Sequence, residues 1–404
     1  MTCRFEPVAP PIRPATPPPD PLAWMAGELA DIAAAGLERP RRLRTGKQGA
    51  VVELDGRRLV NVGSNDYLGY AGDVRLAKAA SKGSCAEGLG AGASPLVGGH
   101  SQAHHALEGA LAALLGVEAA LLFVSGFSAN VATIAAVVGR GDHVFSDERN
   151  HASIIDGCRL SRAEVVIYPH RDLAALEGLL TRSAAGRRRL IVTDTLFSMD
   201  GTIAPLPQLC ELAHRHRAML MVDEAHATGV FGPHGSGLVE ELGCSDGVHI
   251  RVGTLSKALG AAGGFVAGHG TLVDFLRHRA RMWIFSTAHP PAVAAAAARA
   301  IGLVAAEPHR RGQLRERAAW FRGRLSNAGI DVGDAAAQIV PVVAGPAAAA
   351  VALATRLADR GYFVPAIRPP SVPAGRSLVR ASICWGHDPR DLEGLADAII
   401  ACRG

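Results

Sequence analysis

Met219-Leu220-Met221-Val222-Asp223-Glu224-Ala225-His226 is an apolar run that stops at two acids and a histidine. In an open α/β sheet, ligands collect outside the carboxyl ends of the strands, so side chains just past a strand of this kind are placed for a site. The spacing lets Asp223 and His226 address different atoms of one flat ligand. Taken alone, the same residues would also read as a helix cap followed by a surface histidine.

Outward from this strand the chain alternates short apolar runs with helical periodicity, the signature of a mainly parallel sheet covered by helices. Strands are expected at 119–124, 143–146, 165–168, 190–195, 219–223, 250–253 and 264–267, with helices at 102–115, 128–138, 173–181 and 206–216 between them. A large α/β domain over 76–306 closes on an alanine-rich helix at 291–306. Beyond it, 307–404 reads as a smaller α+β domain with strands at 338–343, 363–367 and 378–383. Ahead of it, 22–75 holds a helix at 22–37 and a hairpin turning on Asp55-Gly56. Residues 1–21 are proline-rich and read as an extended arm.

The bulk composition narrows the class. The 404 residues are 49% hydrophobic and 20% charged, an ordinary globular balance, and 42 basic against 37 acidic side chains give a net charge of only +5. No basic tail suited to nucleic acid stands out. The seven cysteines are far apart, without C-x-x-C or histidine pairing at metal spacing, so neither a disulfide framework nor a metal site is expected. A reducing, cytoplasmic setting follows. The start lacks the apolar core of a secretory signal, and the later apolar stretches are interrupted by Arg299 or by Pro341, Gly345 and Pro346, so no membrane span is expected.

Four more segments follow strands in the same way. Ser125-Gly126-Phe127-Ser128 opens a helix whose free amides, with a glycine allowing close approach, suit a phosphate. Asn150-His151-Ala152-Ser153 offers an imidazole that could stack on a ring, and Leu196-Phe197-Ser198-Met199-Asp200-Gly201 turns at another strand end. Gly253-Thr254-Leu255-Ser256-Lys257-Ala258-Leu259-Gly260 encloses one lysine among small and apolar neighbours, where desolvation would lower its pKa and make the amine a nucleophile. Phosphate anchor, stacking ring, acid, histidine and amine together are what pyridoxal 5′-phosphate (PLP) needs, since its aldehyde condenses with a lysine and its ring nitrogen with a carboxylate partner acts as electron sink. The letters Asp-Glu-Ala-His also spell a helicase box. That reading needs a G-x-x-x-x-G-K-[ST] phosphate loop, and none occurs in the chain.

The ordered motifs 64–69 (SNDYLG), 125–130 (SGFSAN), 150–153 (NHAS), 197–201 (FSMDG), 222–229 (VDEAHATG), 254–260 (TLSKALG) and 285–287 (FST) make the chain resemble the α-oxoamine synthases, fold-type I PLP-dependent transferases. Residues 366–375 (AIRPPSVPAG) further resemble that family's biotin-pathway branch. The resemblance implies that Lys257 is the Schiff-base lysine and proton shuttle, that Asp223 pairs with the ring nitrogen, that His226 bonds the ring's phenolic oxygen and that His151 stacks on the ring. It implies that Gly126, Phe127 and Thr254 hold the cofactor phosphate and Ser198 lies beside the ring. Ser286 and Thr287 would reach the phosphate from a second subunit, making a homodimer with shared sites.

Arg368, aided by Asn65, would grip an amino acid carboxylate, and Arg39 and Ser371 would line the acyl path. The implied substrates are L-alanine and an acyl thioester, pimeloyl-CoA or a pimeloyl-carrier protein. Sister enzymes taking glycine, serine or other acyl donors are the alternative. Pro95, Ala227, Phe285 and Ser371 depart from the residues common in the family.

Overall fold

A computed structural model describes residues 20–183 and 187–403, so the proline-rich arm, apart from its last two residues, lies outside the described residues. Contacts divide the chain into two units, Met1–Arg41 and Arg42–Gly404. The first contains the helix Trp24–Ala34, within the expected 22–37.

The second unit opens with the expected hairpin. Asp55 and Gly56 both take positive φ, 50° and 75°, which a two-residue turn requires. Arg44–Thr45 (β1), Val51–Leu54 (β2) and Arg57–Asn61 (β3) pair antiparallel around it, with Leu54 opposite Arg57. Alternation then puts Val52, Leu54 and Leu59 on one buried face.

The large sheet has seven strands: Ala119–Phe123 (β4), His143–Asp147 (β5), Glu164–Tyr168 (β6), Arg189–Asp194 (β7), Met219–Asp223 (β8), Ile250–Thr254 (β9) and Gly264–Gly268 (β10). Their order is β4-β10-β9-β8-β7-β5-β6. Only β10 is reversed, pairing antiparallel with both β4 and β9. Both faces are covered, which explains why the strands read as continuous apolar runs. The period of two still sorts them: Leu121, Phe123, Val192 and Met221 join one core with the helices Gly126–Val137 and Ala152–Ser161. Ala120, Leu122, Ile191 and Val222 join the other with the helices Gln102–Leu115 and Pro291–Ala306.

That second core continues without a break into the C-terminal region, through Val340, Leu353, Val379, Leu392 and Ile399. There Ile339–Gly345 (β11), Tyr362–Phe363 (β12), Ala366–Ile367 (β13) and Ser377–Ser382 (β14) form. The smaller sheet has the order β11-β14-β13. The single strand expected over 363–367 is in fact two pieces in two sheets: β12 runs parallel to β3, and β13 pairs with β14. Pro365 sits between them and has no N–H to continue a ladder, while its carbonyl accepts from the Arg380 amide. Among the described residues no helix is long and apolar enough to cross a membrane.

Candidate active site

Strands β4, β5, β7, β8 and β9 end at one edge of the large sheet, and the reversed β10 begins there. Asp223, the last residue of β8, is fixed through both oxygens. Its Oδ1 accepts from the Ala225 amide at 2.7 Å and its Oδ2 from Asn130 Nδ2 at 2.6 Å. Asn130 sits inside the helix Gly126–Val137, is buried, and also donates to Ser153 Oγ at 2.9 Å. Ser153 in turn lies 2.7 Å from His151 Nδ1. The His151 amide donates to Asp194 Oδ2 at 2.8 Å, and Asp194, at the end of β7, pairs in register with Asp223. Burial, reinforced by the neighbouring Asp223 charge, pushes the Asp194 carboxyl well above the usual range.

Lys257 reaches back from the loop after β9, its Nζ 3.0 Å from His226 Nε2. Lys257 is half-buried, and the surrounding protein desolvates its amine. That desolvation lowers its pKa, against the opposing pull of Asp223 and Asp194 and with the help of the Arg380 charge. His226 is held well below its ordinary value, first by burial and then by Lys257, so it is neutral. Its Nδ1 lies 2.6 Å from the buried Tyr67 hydroxyl, which also donates toward Asn65 Oδ1 at 3.2 Å.

A neutral imidazole carries one proton, so this chain has two settings. If Tyr67 donates to Nδ1, Nε2 donates to the unprotonated amine. If Tyr67 donates to Asn65, Nε2 accepts from the ammonium.

The helix start expected to receive an anion is built of glycine. Ser125 caps the helix by accepting from Ser128 N at 3.0 Å, leaving the amides of Gly126 and Phe127 at the positive helix end. A Cβ on Gly126 would come within 3.3 Å of Thr254 Cβ, and one on Gly264 within 2.4 Å of the Gly126 nitrogen. Thr254 Oγ1 donates to the Gly263 carbonyl at 2.7 Å and has Ser256 Oγ 2.8 Å away. Phe127 and His151 are both exposed beside this cradle, ring centroids 6.4 Å apart.

Other expected residues are placed differently. Asn65 is in the cluster, but its partner is Arg380 of β14, which donates to Asn65 Oδ1 at 3.2 Å and to the Ser198 carbonyl at 2.8 Å. Arg380 is the guanidinium whose charge is felt at Lys257, His226 and Tyr67. Arg368 is half-buried just after β13, and Ser371 is exposed. Arg39 belongs to the N-terminal unit, past the end of its helix. Ser286 and Thr287 line another cavity, with Pro95, His100, His104 and Glu108. Phe285 next to them is 69% exposed, whereas Ala227 is fully buried.

Glu224, which a helicase would turn toward water, is buried against Arg251 at 2.7 Å and accepts from the Val239 amide. Sequence reasoning passed over Asn130, Asp194, Tyr67 and Arg380. Asp194 and Arg380 gave only the signal of a polar residue in an apolar strand, whereas Tyr67 and Asn130 lie inside the motifs at 64–69 and 125–130 without a role assigned to them.

The profile of the aminotransferase class I and II family matches residues 57–399, and the chain belongs to that family. An 8-amino-7-oxononanoate synthase of Anaeromyxobacter dehalogenans is 51% identical over 380 residues, 94% of this chain and 95% of its own. A high-resolution structure of SPT with PLP as internal aldimine superposes with a TM-score of 0.90 at 30% identity, covering 95% and 98% of the two chains. An 8-amino-7-oxononanoate synthase from Francisella tularensis gives 0.75 at 26% identity, covering 85% and 97%. The fold is that of a fold-type I PLP transferase, and the chain is PLP-dependent. The residues in place fit that group: a desolvated lysine amine, a fixed carboxylate, a neutral imidazole and a helix start cleared of side chains for an anion.

Proposed function

We infer that this chain condenses L-alanine with a pimeloyl thioester, releasing CO2 to give 8-amino-7-oxononanoate, a step of biotin biosynthesis. The observation that carries this reading is the 51% identity to the 8-amino-7-oxononanoate synthase of A. dehalogenans over 94% of the chain. Bound PLP supplies a ring into which the electrons of a cleaved Cα bond are drawn.

The protein's own residues do the rest. Lys257 is proposed as the amine that holds the cofactor between turnovers and then, once displaced, takes the proton from the amino acid Cα; its lowered pKa favours the unprotonated form this requires. His226, held by Tyr67, orients that amine, its Nε2 able to donate to the free amine or accept from its ammonium. Asp223, pinned by Asn130 and Ala225, is proposed to face the ring nitrogen, with His151 stacked over the ring. Gly126, Phe127 and Thr254 are proposed to hold the phosphate, with Ser286 and Thr287 of a second subunit completing it in a homodimer. Arg380, pre-set by Asn65 and Ser198, joins Arg368 as a receptor for the substrate carboxylate.

Arg39 and Ser371 are proposed along the acyl path, which serves pimeloyl-CoA or its carrier-protein form. The six described cysteines are free, which supports a reducing cytosol as the working compartment.

Carbon dioxide release measured for L-alanine, glycine and L-serine against a panel of acyl-CoAs tests the reading. Turnover is expected with L-alanine and pimeloyl-CoA, and turnover with glycine alone would overturn it. Charge reversal at Arg39 is expected to raise KM for the thioester and leave KM for the amino acid unchanged.

A further inference from the structure

The turn leading into the helix Gln102–Leu115 brings together side chains that no step of the reaction uses. His105 and Glu108 stand three residues apart on that helix, so they share a face, and His100 precedes the N-cap Ser101. One donor atom from each of His100, His105 and Glu108 lies within 4.8 Å of the other two. His100 Nε2 is 3.6 Å from Glu108 Oε2, and the His100 and His105 rings are 6.4 Å apart. His104 is not available to this group: its Nδ1 faces Ser101 at 2.8 Å and its Nε2 the His289 carbonyl at 2.8 Å. It fixes the turn on which the others stand.

We propose that His100, His105 and Glu108 form a binding site for one divalent transition ion of the zinc class, with two imidazoles and one carboxylate as ligands and the remaining position open to water. Two nitrogens and an oxygen suit zinc and its neighbours, while calcium and magnesium prefer all-oxygen shells. Ligand distances of about 2.0–2.1 Å put tetrahedral donors roughly 3.3 Å apart, and the two histidines, both exposed, are free to swing that far. The carboxylate is already aimed. Glu108 Oε1 accepts from the Leu122 amide at 3.1 Å, the outer bond that orients a ligand, and Oε2 is left toward His100.

Burial supplies a motive for a cation, since Glu108 is only 6% exposed and its carboxyl has no guanidinium or ammonium paired with it among the described ion pairs. The same cavity is walled by Ser286 and Thr287. An ion there would brace that wall without touching Lys257. The proposal stands on these three side chains and not on the identity of the substrates.

Holoenzyme stripped with a chelator and dialysed would be titrated with Zn2+ against a chromophoric chelator, and with Co2+ for its ligand-field absorption. One equivalent is expected, with affinity reduced at least about tenfold in both His105→Ala and His100→Gln, variants that keep cofactor absorbance and melting temperature. Equal stoichiometry and affinity in wild type and both variants would overturn the site, as would a wild type with no binding tighter than millimolar.

Discussion

Two parts of the molecule carry residues proposed to touch the same cofactor, and they are built in opposite ways. Around Lys257 the polar side chains named above hold one another: Asp223 is bonded by Asn130, His226 by Tyr67, and Arg380 bonds Asn65 and the Ser198 carbonyl. Around Ser286 and Thr287 the chain leaves regular structure, turns Phe285 outward and lines a separate cavity. The first region is organised by one chain for chemistry. The second is an exposed surface of the kind that the proposed second subunit would cover.

Removing the centre of the first region is the hardest test of that contrast. Lys257→Ala is expected to abolish the borohydride-reducible chromophore and cut kcat by about 10³-fold or more. Full turnover in that variant would break the contrast outright. Next in size, Arg380→Ala is expected to raise KM for alanine by roughly 10- to 100-fold, the loss of a charge-assisted contact, with cofactor affinity little changed. If instead cofactor affinity falls and KM does not, Arg380 is a scaffold residue.

Ser286→Ala combined with Thr287→Val should weaken PLP binding by about tenfold with kcat at saturating PLP largely retained. Mixed dimers of that chain with Lys257→Ala should regain one site of normal affinity. Mixed dimers no better than the parent variants would place both residues outside any shared site.

The smallest expected effect concerns how the first region is clamped. His387 accepts from the Cys384 amide and donates to the Asn61 carbonyl, both at 3.0 Å, tying the end of β3 to the turn after β14. Burial lowers its pKa from 6.5 to about 4. The folded state thus binds fewer protons than the unfolded chain between those values. The clamp's contribution is complete above about pH 6.5 and is lost as pH falls toward 4. His387→Gln should cost about 1–3 kcal/mol at pH 7, and its deficit in a denaturant melt should shrink by pH 4.5. A deficit that grows on acidification would reverse the sign and refute the clamp.

The strand ends were legible because each apolar run stops abruptly at a polar residue, and that alone placed Asp223, His151, Lys257 and the cradle at Gly126 on one edge. The partners of these groups were not legible. Tyr67 meets His226 across 159 residues of chain, and Arg380 meets Asn65 across 315. Periodicity carries no trace of such pairings. Arg380 stands in the middle of a strand, where local reading sees only an interruption, and Asn130 lies inside the motif at 125–130 without a role assigned to it. The expected strand at 363–367 failed for a local reason, Pro365, whose missing N–H lets two neighbouring dipeptides join different sheets. The histidines at 100 and 105 were passed over because a five-residue gap across a helix start matches no ligand spacing until the turn is folded.

Strand β10 alone runs against its neighbours, so its first residue rather than its last stands at the ligand edge. Gly264 there abuts the Gly126 nitrogen so closely that a methyl group would meet it at 2.4 Å. For a designer wishing to change what this enzyme condenses, the two sides of the pocket are unequal material. The wall proposed to bear Arg368 and Ser371 would offer side chains to exchange, but the floor at 126 and 264 is made of backbone against backbone and leaves nothing to redesign.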